Sequence, residues 1–88
     1  MARKDALPRT IKVIAREPFH IYYEGEAHAV SANNDIGPFD VLPGHADFFS
    51  VLSPGEIIID TAAEPIKFDL HNGMLIVQDN EIMIFANM

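Results

Sequence analysis

The chain has no cysteine and no tryptophan, few basic residues, and no segment apolar enough for the ~20 residues that a membrane-spanning helix takes. Each shortage excludes something. Without cysteine there is no disulfide framework and no thiolate metal site to brace a small fold. A chain of 88 residues allows one domain with a thin core and modest stability, and partner binding remains as a source of more. Lys and Arg number 6 against 13 Asp and Glu, a net charge of −7. A phosphate backbone repels such a surface, so nucleic acid is not an expected partner. The basic residues gather before Glu17, Arg3, Lys4, Arg9 and Arg16 among them, and only Lys67 follows. Two readings of this basic tip stand: contact with an acidic partner, or a solvated, frayed N-terminus. The start Met1-Ala2-Arg3-Lys4-Asp5 has no apolar stretch behind it and is not a secretory signal. The expectation is a soluble, cytoplasmic chain that meets a membrane only through a partner.

What the chain has is period-2 alternation. Ile66-Lys67-Phe68-Asp69-Leu70-His71 switches between apolar and polar at every step, and Phe19 to Glu24 nearly does, which puts Phe19, Ile21 and Tyr23 on one face. Ile11 to Arg16, Ala27 to Ala32, Glu56 to Asp60, Met74 to Gln78 and Ile82 to Ala86 complete the evident strands, all rich in residues that suit a pleated surface. Turn dipeptides separate them: Glu24-Gly25, Pro43-Gly44, Pro54-Gly55, Asn72-Gly73 and Asp79-Asn80. No stretch keeps a helical stripe. The predicted fold is all-β, a small two-sheet sandwich of roughly nine to ten short strands over residues 11–88, after a flexible extension over residues 1–10.

Several strands are apolar on both faces. Met74 and Ile76 oppose Leu75 and Val77, Ile82 and Ile84 oppose Met83 and Phe85, and Ile58 opposes Ile57 and Ile59. A sheet of a thin sandwich has one inner face. The second set then forms either an exposed protein interface or the covered corners of a closed barrel.

Signatures of catalysis are not found. His20, His28, His45 and His71 share no metal-ligand spacing, and His20 and His71 fall on the polar phase of their strands. Ser31, Ser50 and Ser53 lack a nucleophile elbow. Asp35, Asp40 and Asp47 lie near His45 in sequence, as an acid/base group would, but aspartate is also a common turn residue. No phosphate-binding glycine loop occurs, and no cofactor is expected.

One segment is more specific. Gly37-Pro38-Phe39-Asp40-Val41-Leu42-Pro43-Gly44-His45-Ala46-Asp47 runs on through Phe48-Phe49-Ser50-Val51-Leu52 to Ser53-Pro54-Gly55. Pro43-Gly44 is a rigid turn whose glycine is free to take positive φ, and it holds His45, either as a turn-stabilising residue or as a partner contact. The segment resembles the G-x-F/L-G-V/I-L-P-G-H-A loop and L-x-P-G turn of the epsilon subunit of F-type ATP synthase. Tyr23-Glu24-Gly25-Glu26-Ala27, Asn72-Gly73-Met74-Leu75-Ile76-Val77 and Asn80 to Ala86 extend the likeness over about residues 11 to 86.

The resemblance implies a non-catalytic β-sandwich at the foot of the rotating central stalk. It would bind the gamma subunit and the polar loops of the c-ring, and couple proton-driven rotation to ATP synthesis. It would be peripheral to the membrane, at the cytoplasmic face of a bacterial inner membrane. Carried over position by position, it sets Pro38, Phe39 and Asp40 toward the c-ring and Ala15, His45 and Ser50 toward gamma. Departures from the family pattern are Asp40 where it has glycine, Pro38 where it is often acidic, Asp47 where it usually has proline, and a longer connection from Ile14 to Gly25. An aspartate in a glycine's positive-φ position would carry some strain. Family members usually continue into a helical hairpin that binds ATP or acts as a brake. This sequence stops at Met88, and with Met1 in place and no tag the expectation is a natural full-length chain without that hairpin. The alternative from a different class is a free-standing small β-barrel that binds a ligand.

Overall fold

The computed structural model of the chain describes residues 9–88. Most of the expected N-terminal extension therefore lies outside the described residues. Thr10, at its end, is tied down: its hydroxyl donates to Glu26, and its carbonyl accepts the Asn80 side-chain amide at 2.8 Å.

Nine strands form two sheets, and the described residues contain no helix. They are β1 (Ile11–Glu17), β2 (His20–Ala27), β3 (Ala29–Asn34), β4 (Gly37–Val41), β5 (Phe48–Leu52), β6 (Gly55–Asp60), β7 (Ile66–Leu70), β8 (Gly73–Gln78) and β9 (Glu81–Ala86). One sheet has the order β2-β1-β9-β8-β5, the other β4-β3-β6-β7. Every pairing is antiparallel except β1 with β9, where Val13 lies beside Ile82 and Ala15 beside Ile84. The first and last strands thus lie side by side in the middle of the larger sheet. Ile11, Val13, Ala15, Leu75, Val77, Ile82 and Ile84 point inward from that sheet. They meet Val30, Val41, Ile57, Ile59, Phe68 and Leu70 from the other. This is the two-layer sandwich expected from the alternation.

Two strands were hidden in the sequence. β4 and β5 occupy what read as the arms of a loop, and they are edge strands of opposite sheets. The expected common face of Phe19, Ile21 and Tyr23 does not form. The β1–β2 register slips between Ala15 and Arg16, so that Ala15 faces Tyr23 but Arg16 faces Ile21. This bulge turns Ile21 outward and Tyr22 inward, and Phe19 is left fully exposed at the hairpin tip.

The inward turn gives Tyr22 two jobs. Its ring stacks on Phe68 of β7 with centroids 4.0 Å apart, closing the sandwich at that edge. Its hydroxyl donates to Glu17 Oε2 at 2.8 Å. That bond, then partial burial, then the carboxylate's charge raise the phenol above its ordinary value of 10.0, with the Asn87 side chain acting in the opposite sense. A folded pKa above the unfolded one means stability fully present below the unfolded value and lost as pH rises through the folded one. Denaturant titrations from neutral pH to pH above about 10 should show that alkaline loss, and Tyr22→Phe should reduce it.

Candidate interaction surface

Partners across a strand pair share a face, so the register fixes what each outer surface presents. On the five-stranded sheet one row runs Val51, Met74, Phe85, Arg16. The next runs Phe49, Ile76, Met83, Ile14, Glu24. The third is polar: Gln78, Glu81, Lys12, Glu26, with Lys12 Nζ 3.8 Å from Glu81 Oε2. The first two rows form a continuous apolar field over β5, β8, β9 and β1. Phe49 and Val51 are 68% and 67% exposed and Met74 is 40% exposed, while Ile14, Ile76, Met83 and Phe85 are half-buried by one another. The field is rimmed by Arg16, Lys12, Glu24 and Glu81. Of the two readings of the doubly apolar strands, the open face is the one the fold adopts.

The other outer surface is of opposite character. Ser31, Asp40, Glu56, Asp60, Lys67 and Asp69 project from the four-stranded sheet, with Ile58 as its main apolar residue. Glu56 lies directly opposite Asp69, a like-charge pair that is tolerable only in water. One outer surface of the sandwich is charged and the other mainly apolar.

The loop between β4 and β5 binds one end of the sandwich together. His45 N–H donates to the Leu42 carbonyl at 3.2 Å, closing a turn with Pro43 and Gly44 at its corners, and Gly44 has φ +80° as expected. Gly44 N–H donates to Asn80 Oδ1 at 2.9 Å, and Asp79 N–H donates to Asp47 Oδ1 at 3.0 Å. The His45 ring lies on Phe48, centroids 4.8 Å apart, and Phe48 meets Phe39 edge-on. His45 Nδ1 bonds the Ala46 carbonyl at 2.7 Å, which assigns the proton to Nδ1.

The expected contact residues do not share a surface. Pro38 and Asp40 point outward from β4, whereas Phe39 points inward and packs against the core. Asp40 has no positive φ; it sits in regular strand and accepts the Ser31 hydroxyl at 2.7 Å, so the anticipated strain is absent. His45 is exposed at the loop end. Ser50 faces inward at an edge, half-buried, with its Oγ 3.2 Å from Asn34 Nδ2. Ala15 requires a correction as a partner contact. It is 0% exposed in a strand paired on both sides, so its methyl is core and its neighbours Ile14 and Arg16 hold the outer face. The aspartates do not gather on His45 either: Asp35 accepts from Ser53, Asp40 from Ser31 and Asp47 from the Asp79 amide. Among the described residues no cluster of His, Asp and Glu could hold a metal ion. Residue-by-residue reasoning missed Phe49, Val51 and Ile36, the last 97% exposed at the β3–β4 tip. The signal that finds Phe49 and Val51 is register, which alternation within one strand does not carry; Ile36 lies in a turn outside any strand pairing.

The profile of the family described as ATP synthase, Delta/Epsilon chain, beta-sandwich domain matches residues 10–88. The chain belongs to this family. The ATP synthase epsilon chain of Xanthomonas euvesicatoria pv. vesicatoria (strain 85-10) is 33% identical over 73 residues, covering 82% of this chain and 49% of the relative. That of Clostridium novyi (strain NT) is 30% identical over 83 residues, covering 92% and 63%. This epsilon-type chain spans about half the length of the curated relatives it matches. A chain in the cryo-EM structure of Euglena gracilis mitochondrial ATP synthase, OSCP/F1/c-ring in rotational state 1, superposes with a TM-score of 0.84 at 17% identity, over 98% of this chain and 56% of that one. One in the central stalk/c-ring structure from Tetrahymena thermophila gives 0.76 at 22%, over 85% and 61%. At such identities these two likenesses speak for the fold, and the family match carries the assignment.

Proposed function

We propose that this chain is the non-catalytic sandwich of an ATP synthase central stalk, docked on the gamma subunit by the outer face of its five-stranded sheet. The observation that carries the reading is that apolar field, unpartnered here and continuous across β5, β8, β9 and β1. A domain with so thin a core does not leave such an area in water without a use. Membership of the Delta/Epsilon sandwich family supports gamma as the partner. The β3–β4 hairpin, with Pro38 and Asp40 on its outer side, is the part offered to the polar loops of the c-ring. The sandwich then transmits torque and does no chemistry. It reaches the membrane only through the complex, at the cytoplasmic face in a bacterial cell. The ligand-module alternative has less support, because core side chains fill the space between the sheets and the grooves on the surface are open.

Native mass spectrometry of the chain with the gamma subunit of the same organism tests this. A one-to-one complex is expected. Met74→Lys, in the middle of the apolar field, should weaken it on the order of tenfold or more, because a charge is buried without a partner. Asp69→Lys on the opposite surface should leave it unchanged. No complex between folded proteins, or equal weakening by both substitutions, would overturn the assignment of the face.

A further inference from the structure

Two open sheets have four edges, and an unpaired edge invites another strand unless something blunts it. Three of the four are blunted here. β2 carries the bulge opposite Ala15 and Arg16, with Glu24 and Glu26 on its outer side. β4 carries Pro38 and Asp40, and β7 carries Lys67 and Asp69. β5 has no such device. It reads Phe48-Phe49-Ser50-Val51-Leu52, with no charge and no proline, in unbroken register with β8 and with nothing paired on its other side. An open groove runs along it, lined by Asn34, Asp35, Ile36, Phe49, Ser50 and Val51. The β3–β4 tip of the other sheet is its far wall.

Acidic residues stand at both ends of this strand. Asp47 directly precedes β5, with its Oδ1 accepting the Asp79 amide on the β8 side. Asp35 accepts the hydroxyl of Ser53, the residue that directly follows it, at 3.3 Å. We propose that the free edge of β5 receives an extended strand of the partner that covers the apolar face, lengthening that sheet by one strand. The chemistry defines the incoming segment: apolar side chains at every second position to lie beside Phe49 and Val51, and a Lys or Arg at one end to meet Asp35, which lines the groove. The edge is continuous with the docking face, since Phe49 and Val51 belong to both. A second copy of this chain fits badly. Antiparallel pairing of two β5 strands about Ser50 sets Asp47 of each against Ser53 of the other, and so beside its Asp35, on a chain already at −7.

The inference rests on the gamma reading, and one experiment separates the two. Amide hydrogen exchange is followed by NMR on the labelled full chain, alone and with the same organism's gamma subunit. In the free chain, those amides of Phe48–Leu52 that point away from β8 exchange quickly. In the complex they should slow on the order of tenfold or more, with Hα contacts to the partner backbone across the edge. A complex that forms while these amides keep their free rate overturns the strand addition and leaves face docking intact. No complex overturns both. A homodimer protecting the same amides without gamma assigns the edge to a second copy and also overturns the proposal.

Discussion

Ile84→Ala is expected to cost about 3 kcal/mol and to lower the melting temperature by more than 10 °C, to about the limit of what a domain this small tolerates. Ile84 is fully buried in β9, the middle strand of the larger sheet. Its register neighbours on the inner face are Ala15 on one side and Leu75 on the other, both also fully buried. Ala15 is already small, so truncating Ile84 leaves two adjacent methyl groups where the opposite sheet needs bulk. Its strand neighbours are held by ladders on both sides, and the gap cannot close by a shift of β9 alone. Ile21→Ala is the control. Ile21 is 49% exposed on edge strand β2, and its loss should cost less than about 1 kcal/mol. Chemical denaturation of both variants decides the matter: equal costs would mean that β9 is not the centre of the core.

How far the sequence carries a reader depends on whether a feature lives within one strand or between strands. Ile66 to Leu70 alternates cleanly because β7 has one wet face, and it was legible. β4 was not, because Pro38 and the Pro43-Gly44 turn make its neighbourhood look like loop, and its strand pairing appears only against β3. The side-by-side placement of β1 and β9 joins the two ends of the domain and leaves no local mark. Alternation alone puts Ile21 and Tyr23 on one face for the same reason: a bulge is a property of a pair, and neither strand shows it alone. The apolar field was half legible. Met74, Ile76, Met83 and Phe85 announced a second hydrophobic face, but which of them meet Phe49 and Val51 is register information. Ala15 shows the converse limit of position-by-position likeness, which passes on a contact without saying which way the side chain points.

The end of the sandwich opposite the β3–β4 tip depends on one side chain, and Asn80→Ala is expected to cost about 2 kcal/mol although the residue is not in the core. Asp79 and Asn80 form the two-residue turn between β8 and β9, with φ of 52° and 58°. Both residues in the left-handed region make the turn that matches strand twist, and asparagine tolerates it where alanine does not. Asn80 also joins three parts of the chain. Its Oδ1 accepts Gly44 N–H at 2.9 Å, its Nδ2 donates to the Thr10 carbonyl at 2.8 Å, and its backbone carbonyl accepts Lys12 N–H. The entry to β1, the β4–β5 loop and the β8–β9 turn are thereby one unit. Asn80→Gly separates the two contributions. Glycine takes the conformation freely but removes both side-chain bonds, so it should recover about 1 kcal/mol of the alanine loss and no more. If the bonds matter as the geometry says, both variants should also speed amide exchange at Gly44 and around Thr10, positions 36 and 70 residues away in sequence. A glycine variant as stable as the parent would show that the turn alone counts. The Gly44 and Thr10 bonds would then be surface contacts without weight, and His45 would be held by its own turn, the Ala46 carbonyl and Phe48.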